Sequence, residues 1–394
     1  MNKEFHKKQN FFSFSDIDSE RKDRIMKFTS TEATPAPHVP PGVLRLTGAA
    51  KEDIPMYRIQ TMNKISPVGL NRFPSELYEV GDAVQDPQGI LVRSAKLLDL
   101  EFNPSLLAIA RAGVGVNNIP LDRCAAAGIP VFSTPGANAN AVKELVICAM
   151  LMGSRDIPGA IRWVREQAAS GVDVSTVVEK GKSAFIGPEL YKKTLGIIGL
   201  GAIGSIVANT AISLGMDVYG YDPFLSVDTA LRLDRHVHVV KDINDLYKRS
   251  DYITMHIHYT EKTAHMIDAD AIAAMKRGVR VINLARGEIV DDEAMLTALD
   301  TGMVAAYITD FPNNRLLTAP HVIAMPHLGA STPESEQNCA AMAVDTLRDY
   351  LESGNIRSSV NLPEMTMDRS GVQRLCVLHK NVPGMLANIT SLFG

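Results

Sequence analysis

The run Gly199-Leu200-Gly201-Ala202-Ile203-Gly204 constrains this chain more than any other six residues. It follows the apolar stretch LGII, which reads as a strand, and opens IVANTAISLG, which reads as a helix. In that setting the first glycine permits a tight turn, the second lets backbone approach a pyrophosphate, and the third lets helix and strand pack closely. The helix N-terminus adds free N–H groups and a dipole that favours an anion. Gly199, Gly201, Ala202, Ile203 and Gly204 are therefore candidate dinucleotide-binding residues. About twenty residues on, Asp222 ends the next strand-like run, VYGYD. A carboxylate there can bind ribose hydroxyls and repels a 2′-phosphate, so the expected cofactor is NAD rather than NADP.

Short apolar runs alternate with helical ones on both sides of this motif, the pattern of a parallel α/β protein. YRIQTM, GILVRSA and LLAIARAG form a first series; KTLGIIG, MDVYGYD, DYITMHI, RVINLA, AAYITD and HVIAMP form a second, whose six strands fit a doubly wound sheet. At 394 residues the chain has room for two domains with appendages, at roughly 150 residues each. The fold class expected is α/β with two Rossmann-like or flavodoxin-like domains. ANAVKELVICAMLM, at 139–152, reads as a helix leading out of the first domain. PESEQNCAAMAVDTLRDYLESG reads as one amphipathic helix that Gly354 ends. Residues 1–55, charge-rich and then proline-rich (PAPHVPPG), read as a flexible leader in which only a short apolar run, Val43 to Leu46, could dock. From Val372 the tail holds one more strand and the start of a helix.

Composition narrows the partners. A formal charge of -4 lacks the excess of Lys and Arg that a nucleic-acid surface needs. No uninterrupted apolar run reaches the roughly 18 residues of a membrane span, and MNKEFHKKQN is polar where a secretory signal is apolar, so the expectation is a cytoplasmic protein without membrane partners. Cys124, Cys148, Cys339 and Cys376 form no C-x-x-C pair, which argues for reduced thiols. A small molecule is the expected ligand.

Two residues suit redox chemistry on a small acid. Arg286 ends the strand-like RVINLA, at the sheet edge where ligands of such folds bind, and a guanidinium can grip a carboxylate through two parallel bonds. His327 follows HVIAMP, and imidazole suits proton transfer near neutrality. His236-Val-His238 and His256-Ile-His258 have a spacing metals can use on one strand face, but no Cys or carboxylate cluster accompanies them, so no metal site is expected.

Together GLGAIG, RVINLARGEIVD, YITD and PHLGAST at 326–332 resemble the D-isomer-specific 2-hydroxyacid dehydrogenases over residues 57–363. Within that family VRSAK at 92–96, RAGVGVNNI at 111–119, TPGANANAVKEL at 134–145 and the final HKNVPG resemble the branch that oxidises 3-phosphoglycerate in serine biosynthesis. The resemblance implies a substrate-binding domain of residues 56–152 and 329–363, with a cofactor domain of residues 153–328 inserted into it and a cleft between. It implies Arg286 on the substrate carboxylate and His327 as general base. Arg93, Ser94 and Lys96, with Arg111 as an addition, would face a phosphate; Val114 and Gly115 would meet the carboxylate, with Asn138 and Asn140 bordering the same region. His256, Ala285, Asp310 and Gly329 join the cofactor set. The family pairs into homodimers or homotetramers through its cofactor domains. Residues 371–394 resemble part of an ACT regulatory domain, in which Asn381 would meet an L-serine effector.

One departure stands out. Family members carry a glutamate a few residues after the aspartate of YITD, paired with the histidine, whereas this chain reads Asp310-Phe-Pro-Asn313-Asn314-Arg315. A carboxylate partner raises a histidine's pKa and fixes its tautomer. Its loss leaves two readings: an enzyme with a less basic histidine, or an NAD-sensing interaction protein of the corepressor type that shares this fold.

Overall fold

The computed structural model describes residues 12–13, 43–47, 56–368, 374–379 and 382–393. Its strands are β1 (Phe12–Ser13), β2 (Val43–Thr47), β3 (Tyr57–Thr61), β4 (Tyr78–Gly81), β5 (Gly89–Val92), β6 (Ala108–Arg111), β7 (Val131–Phe132), β8 (Thr194–Ile198), β9 (Asp217–Tyr221), β10 (Val237–Val240), β11 (Tyr252–Met255), β12 (Val279–Asn283), β13 (Val304–Thr309), β14 (Val322–Ala324) and β15 (Arg374–Leu378). The helices of eight or more residues are α1 (Ala139–Arg155), α2 (Ile157–Ala169), α3 (Val174–Gly181), α4 (Ala202–Ser213), α5 (Asp292–Asp300), α6 (Pro333–Ser353) and α7 (Met385–Phe393). They form two compact units, Met1–Ala137 with Glu336–Gly394, and Asn138–Ser335.

The first unit holds a parallel sheet in the order β4-β3-β5-β6-β7. β5 is buried at all four residues, which is why it reads in the sequence as an unbroken apolar run. Ala343, Val344, Leu347 and Leu351 of α6 share one core with Ile59, Leu91 and Phe132 of the sheet. Close approach sets the fit: a Cβ on Gly69 would stand 2.6 Å from Ala340. Two strands of this sheet, β4 and β7, add to the three expected.

Also in this unit, β15 pairs antiparallel with β2 on one side and β1 on the other. The short run at Val43 thus does dock, and it docks on the tail. Leu378 enters the core that α6 completes, so the tail packs on the body of its own unit. The rest of the expected leader, and Asn381, lie outside the described residues.

The second unit is a seven-stranded parallel sheet, β10-β9-β8-β11-β12-β13-β14. The order reverses between β8 and β11, and in such sheets ligands bind at the strands' C-terminal ends beside that reversal. Helix α1, expected to lead out of the first domain, instead packs on this sheet: Val142, Val146, Ala149 and Met150 join Ile197, Val207, Ile282 and Ile308. The units therefore part at 137/138, where the expectation stood at 152/153, because the helix spends its apolar face on the second core. Helices α2 and α3 bury none of their residues, and Ile157, Ile161, Val164 and Val178 stay exposed.

The histidine pairs do not share strand faces. His236 lies in the turn before β10 and its Nδ1 meets Asp234 at 2.7 Å, while His238 stacks on Tyr219. β11 ends at Met255, leaving His256 and His258 in the loop that follows. Among the described residues no group of three or more His, Cys, Asp or Glu could hold a metal ion, and no helix is long and apolar enough to cross a membrane.

Candidate active site

The glycine turn divides its labour by space. Gly199 has φ +90°, a conformation that costs glycine nothing, and its N–H bonds Tyr221 O at 2.8 Å. A Cβ on Gly204 would lie 1.9 Å from Gly199 O, so only glycine lets α4 sit this close to β8. A Cβ on Gly201, by contrast, would meet nothing within 4 Å. That open space, at the N-terminus of a twelve-residue helix whose first residue, Ala202, is exposed and whose second, Ile203, is half-buried, is what a pyrophosphate requires. Asp222 is tied into the turn: Oδ2 accepts Leu200 N–H at 2.9 Å and Oδ1 accepts Phe224 N–H at 2.8 Å. Each oxygen keeps a lone pair for a ribose hydroxyl. The residues fit a dinucleotide.

His256 props this turn from the other side. Its N–H bonds Ile198 O at 2.7 Å, and its own carbonyl oxygen would stand 2.6 Å from a Cβ on Gly199. Its ring lies 3.2 Å from Thr254 Oγ1, and burial pushes the imidazole down to about 3. Below the ordinary histidine value near 6.5 the unfolded chain takes up a proton that the folded chain refuses, so this stability is present at neutral pH and is lost as pH falls. His256→Gln should flatten the decline of Tm between about pH 6.5 and about pH 4, a loss of up to roughly 1.4 kcal/mol per pH unit in the parent. Thermal unfolding across that range checks it, and parallel curves for the two proteins would count against this account.

The sheet edge gathers the chemistry. Asn283, fully buried at the end of β12, accepts Ala285 N–H at 3.2 Å and donates to Arg286 O at 2.8 Å, shaping the turn that carries the guanidinium. Asp310, 1% exposed after β13, accepts Gly329 N–H on Oδ2 at 3.0 Å and His327 N–H on its main-chain oxygen at 2.9 Å. Its Oδ1 is buried without a partner. Burial raises the Asp310 carboxyl above the usual carboxylate range, opposed by the Gly329 N–H and by His327 and Arg286 nearby. A Cβ on Gly329 would come within 3.4 Å of that carboxylate. His327 is exposed and held at φ +43°, in the left-handed region. Its ring lies 4.7 Å from the Phe311 ring, over which the Arg286 guanidinium stands at 5.8 Å.

The segment that lacks the glutamate is fastened elsewhere. Asn313 donates to Asp292 at 2.6 Å and caps the turn at Arg315 and Leu316, while Arg315 pairs with Glu293, both acids lying on α5. Asn314 is exposed.

On the first unit, Asn63 Oδ1 accepts three successive N–H groups, from Arg93 at 3.2 Å, Ser94 at 3.0 Å and Ala95 at 2.8 Å. Arg111 Nε donates to Arg93 O at 2.9 Å, so Arg111 braces this loop. Arg93 itself pairs with Glu336 at 2.6 Å, and Ser94 and Lys96 are exposed. Val114 and Gly115 follow β6 in the same unit. Asn138 and Asn140 belong to the second unit, at the first turn of α1, where Asn140 bonds Glu144 and Lys143. Asn63, Asn283 and Phe311 escaped the sequence reading. Each works through a contact with a distant or turned segment that no local motif announces.

Comparisons with known proteins agree with this geometry. Residues 147–329 match the family described as D-isomer specific 2-hydroxyacid dehydrogenase, NAD binding domain. A D-3-phosphoglycerate dehydrogenase from Synechocystis is 36% identical over 326 residues, 80% of this chain and 56% of that protein. One from Haemophilus influenzae is 33% identical over 330 residues, 80% of this chain and 77% of that protein. The chain spans 56%, 58% and 60% of the length of three curated relatives it matches. Among solved structures, the NAD+-bound 3-phosphoglycerate dehydrogenase of Entamoeba histolytica superposes with a TM-score of 0.62 at 26% identity, covering 78% of this chain and 99% of that one. From its glycine turn to His327, this chain belongs to the D-isomer-specific 2-hydroxyacid dehydrogenases.

Proposed function

We propose that the protein oxidises D-3-phosphoglycerate to 3-phosphohydroxypyruvate with NAD. The observation that carries this reading is the convergence of Arg286, Asp310 and His327 on one edge of a sheet that also leaves open space beside Gly201 at a helix N-terminus. Gly199, Gly201, Ala202, Ile203, Gly204 and Asp222 would hold the dinucleotide, with His256, Ala285, Asp310 and Gly329 lining its further reach. NAD, when bound, supplies the hydride acceptor. Arg286 grips the substrate carboxylate through paired N–H bonds and so aims the single hydrogen on C2 at the acceptor. His327 takes the hydroxyl proton as the carbonyl forms. The first unit supplies phosphate donors in Arg93, Ser94 and Lys96, and the main chain at Val114 and Gly115 suits the carboxylate. Its residues 56–137 and 336–363 form the substrate domain on this reading, and 138–335 the cofactor domain.

Purified protein with NAD should form NADH with 3-phosphoglycerate in preference to D-lactate, glycerate or 2-hydroxyglutarate. Tight NAD binding with no turnover of any would move the reading to an NAD-sensing interaction protein. The same assay with added L-serine tests a regulatory role for the tail. The proposed setting is the cytoplasm and serine biosynthesis. A homodimer through the exposed apolar residues of α2 and α3 is the proposed assembly, which sedimentation of an Ile161→Glu variant checks.

A further inference from the structure

The glutamate that would orient the histidine is missing, yet His327 is an exposed ring on a turn, and a general base must be aimed. Its ring packs on Phe311, centroids 4.7 Å apart and planes at 46°. Phe311 is itself held at its main chain, where its N–H bonds Thr309 Oγ1 at 3.0 Å. The same ring lies under the Arg286 guanidinium. One phenyl group therefore touches both the side chain assigned to the carboxylate and the one assigned to the hydroxyl proton.

We infer that Phe311 is a positioning residue that aims His327 relative to Arg286 by ring packing, in the place where a carboxylate does so by hydrogen bonding. This rests on the dehydrogenase reading above. The arrangement has a physical logic. When His327 accepts the hydroxyl proton a second cation forms beside the permanent charge of Arg286. An aromatic face attracts cations, and Phe311 presents one to Arg286 with the His327 ring packed beside it and Asp310 the buried acid near both. A phenyl ring also covers the side of the imidazole it packs on without offering it a hydrogen bond. Position is thereby fixed while the tautomer is left to the ligand.

Three proteins test this: the parent, Phe311→Leu and Phe311→Tyr. Leucine fills the space without a ring, so kcat should fall about ten- to a hundredfold, as expected for a misaimed base, with Kd for NAD unchanged. Tyrosine should restore most of kcat. In parallel, the His327 ring protons, assigned by their loss in His327→Gln, should carry a ring-current displacement in the parent and the tyrosine variant that the leucine variant lacks. If leucine keeps the parental kcat, if tyrosine loses as much as leucine, or if the His327 resonances are the same in all three, the inference is overturned. Should the leucine variant not fold, Phe311→Met takes its place with the same outcomes. If the parent turns over no 2-hydroxy acid, the dehydrogenase reading fails by that result, and the resonances alone then decide whether Phe311 holds the ring.

Discussion

His327→Gln should keep the fold and the affinity for NAD and lose turnover by about 10²- to 10⁴-fold, the usual contribution of a positioned general base. The side chain is exposed, so the substitution leaves no cavity, and the N–H that bonds Asp310 O is main chain and survives it. Calorimetry with NAD separates this from unfolding: equal affinity with lost kcat is the expected pattern, and full activity would remove His327 from the chemistry. Giving the histidine a carboxylate should act in the opposite sense on pH. Asn314→Glu is the better site, since Arg315 is already engaged with Glu293 and a new acid there would face like charges on α5. A glutamate that reaches the ring favours the imidazolium, moving the acid limb of the rate to higher pH, and an unchanged limb would mean that the segment cannot bring it there.

Two alanine substitutions three residues apart, at Gly201 and Gly204, should behave in opposite ways. Gly204→Ala puts a methyl 1.9 Å from Gly199 O, so α4 must move off β8, at a cost of about 1–3 kcal/mol that thermal unfolding without any ligand would show. Gly201→Ala puts its methyl in open space, leaving ligand-free stability nearly unchanged while occupying the volume where a pyrophosphate would approach. NAD affinity should fall at least tenfold in both, but for different reasons. Unaltered affinity in Gly201→Ala would place the dinucleotide elsewhere.

These contrasts show what the sequence made legible. Strands buried on both faces, such as β5, announce themselves as unbroken apolar runs, and the glycines and Asp222 carry their chemistry in their spacing. β10 does not, because its residues are half-buried or exposed and its pattern, VHVV, lacks a core face. β7 is only two residues long. The allegiance of α1 was illegible for another reason: its apolar stripe says that it packs, not which of two cores it packs on. At the site, Arg286 and His327 could be read as strand-end residues. Their supports could not, because the Asn283 amide bonds and the Phe311 ring act across turns whose shape only the fold defines.

The division of the first unit around the second sets an order of assembly during synthesis. Residues 138–335 leave the ribosome as one continuous stretch and can close their core while the chain is still growing. The sheet of the first unit, made earlier, lacks Ala343, Val344, Leu347 and Leu351 until α6 follows, some 200 residues and roughly ten to forty seconds later at ordinary elongation rates. For that interval Ile59 and Leu91 lack the α6 side chains that complete their core, so the half of the protein translated first is the half that finishes last.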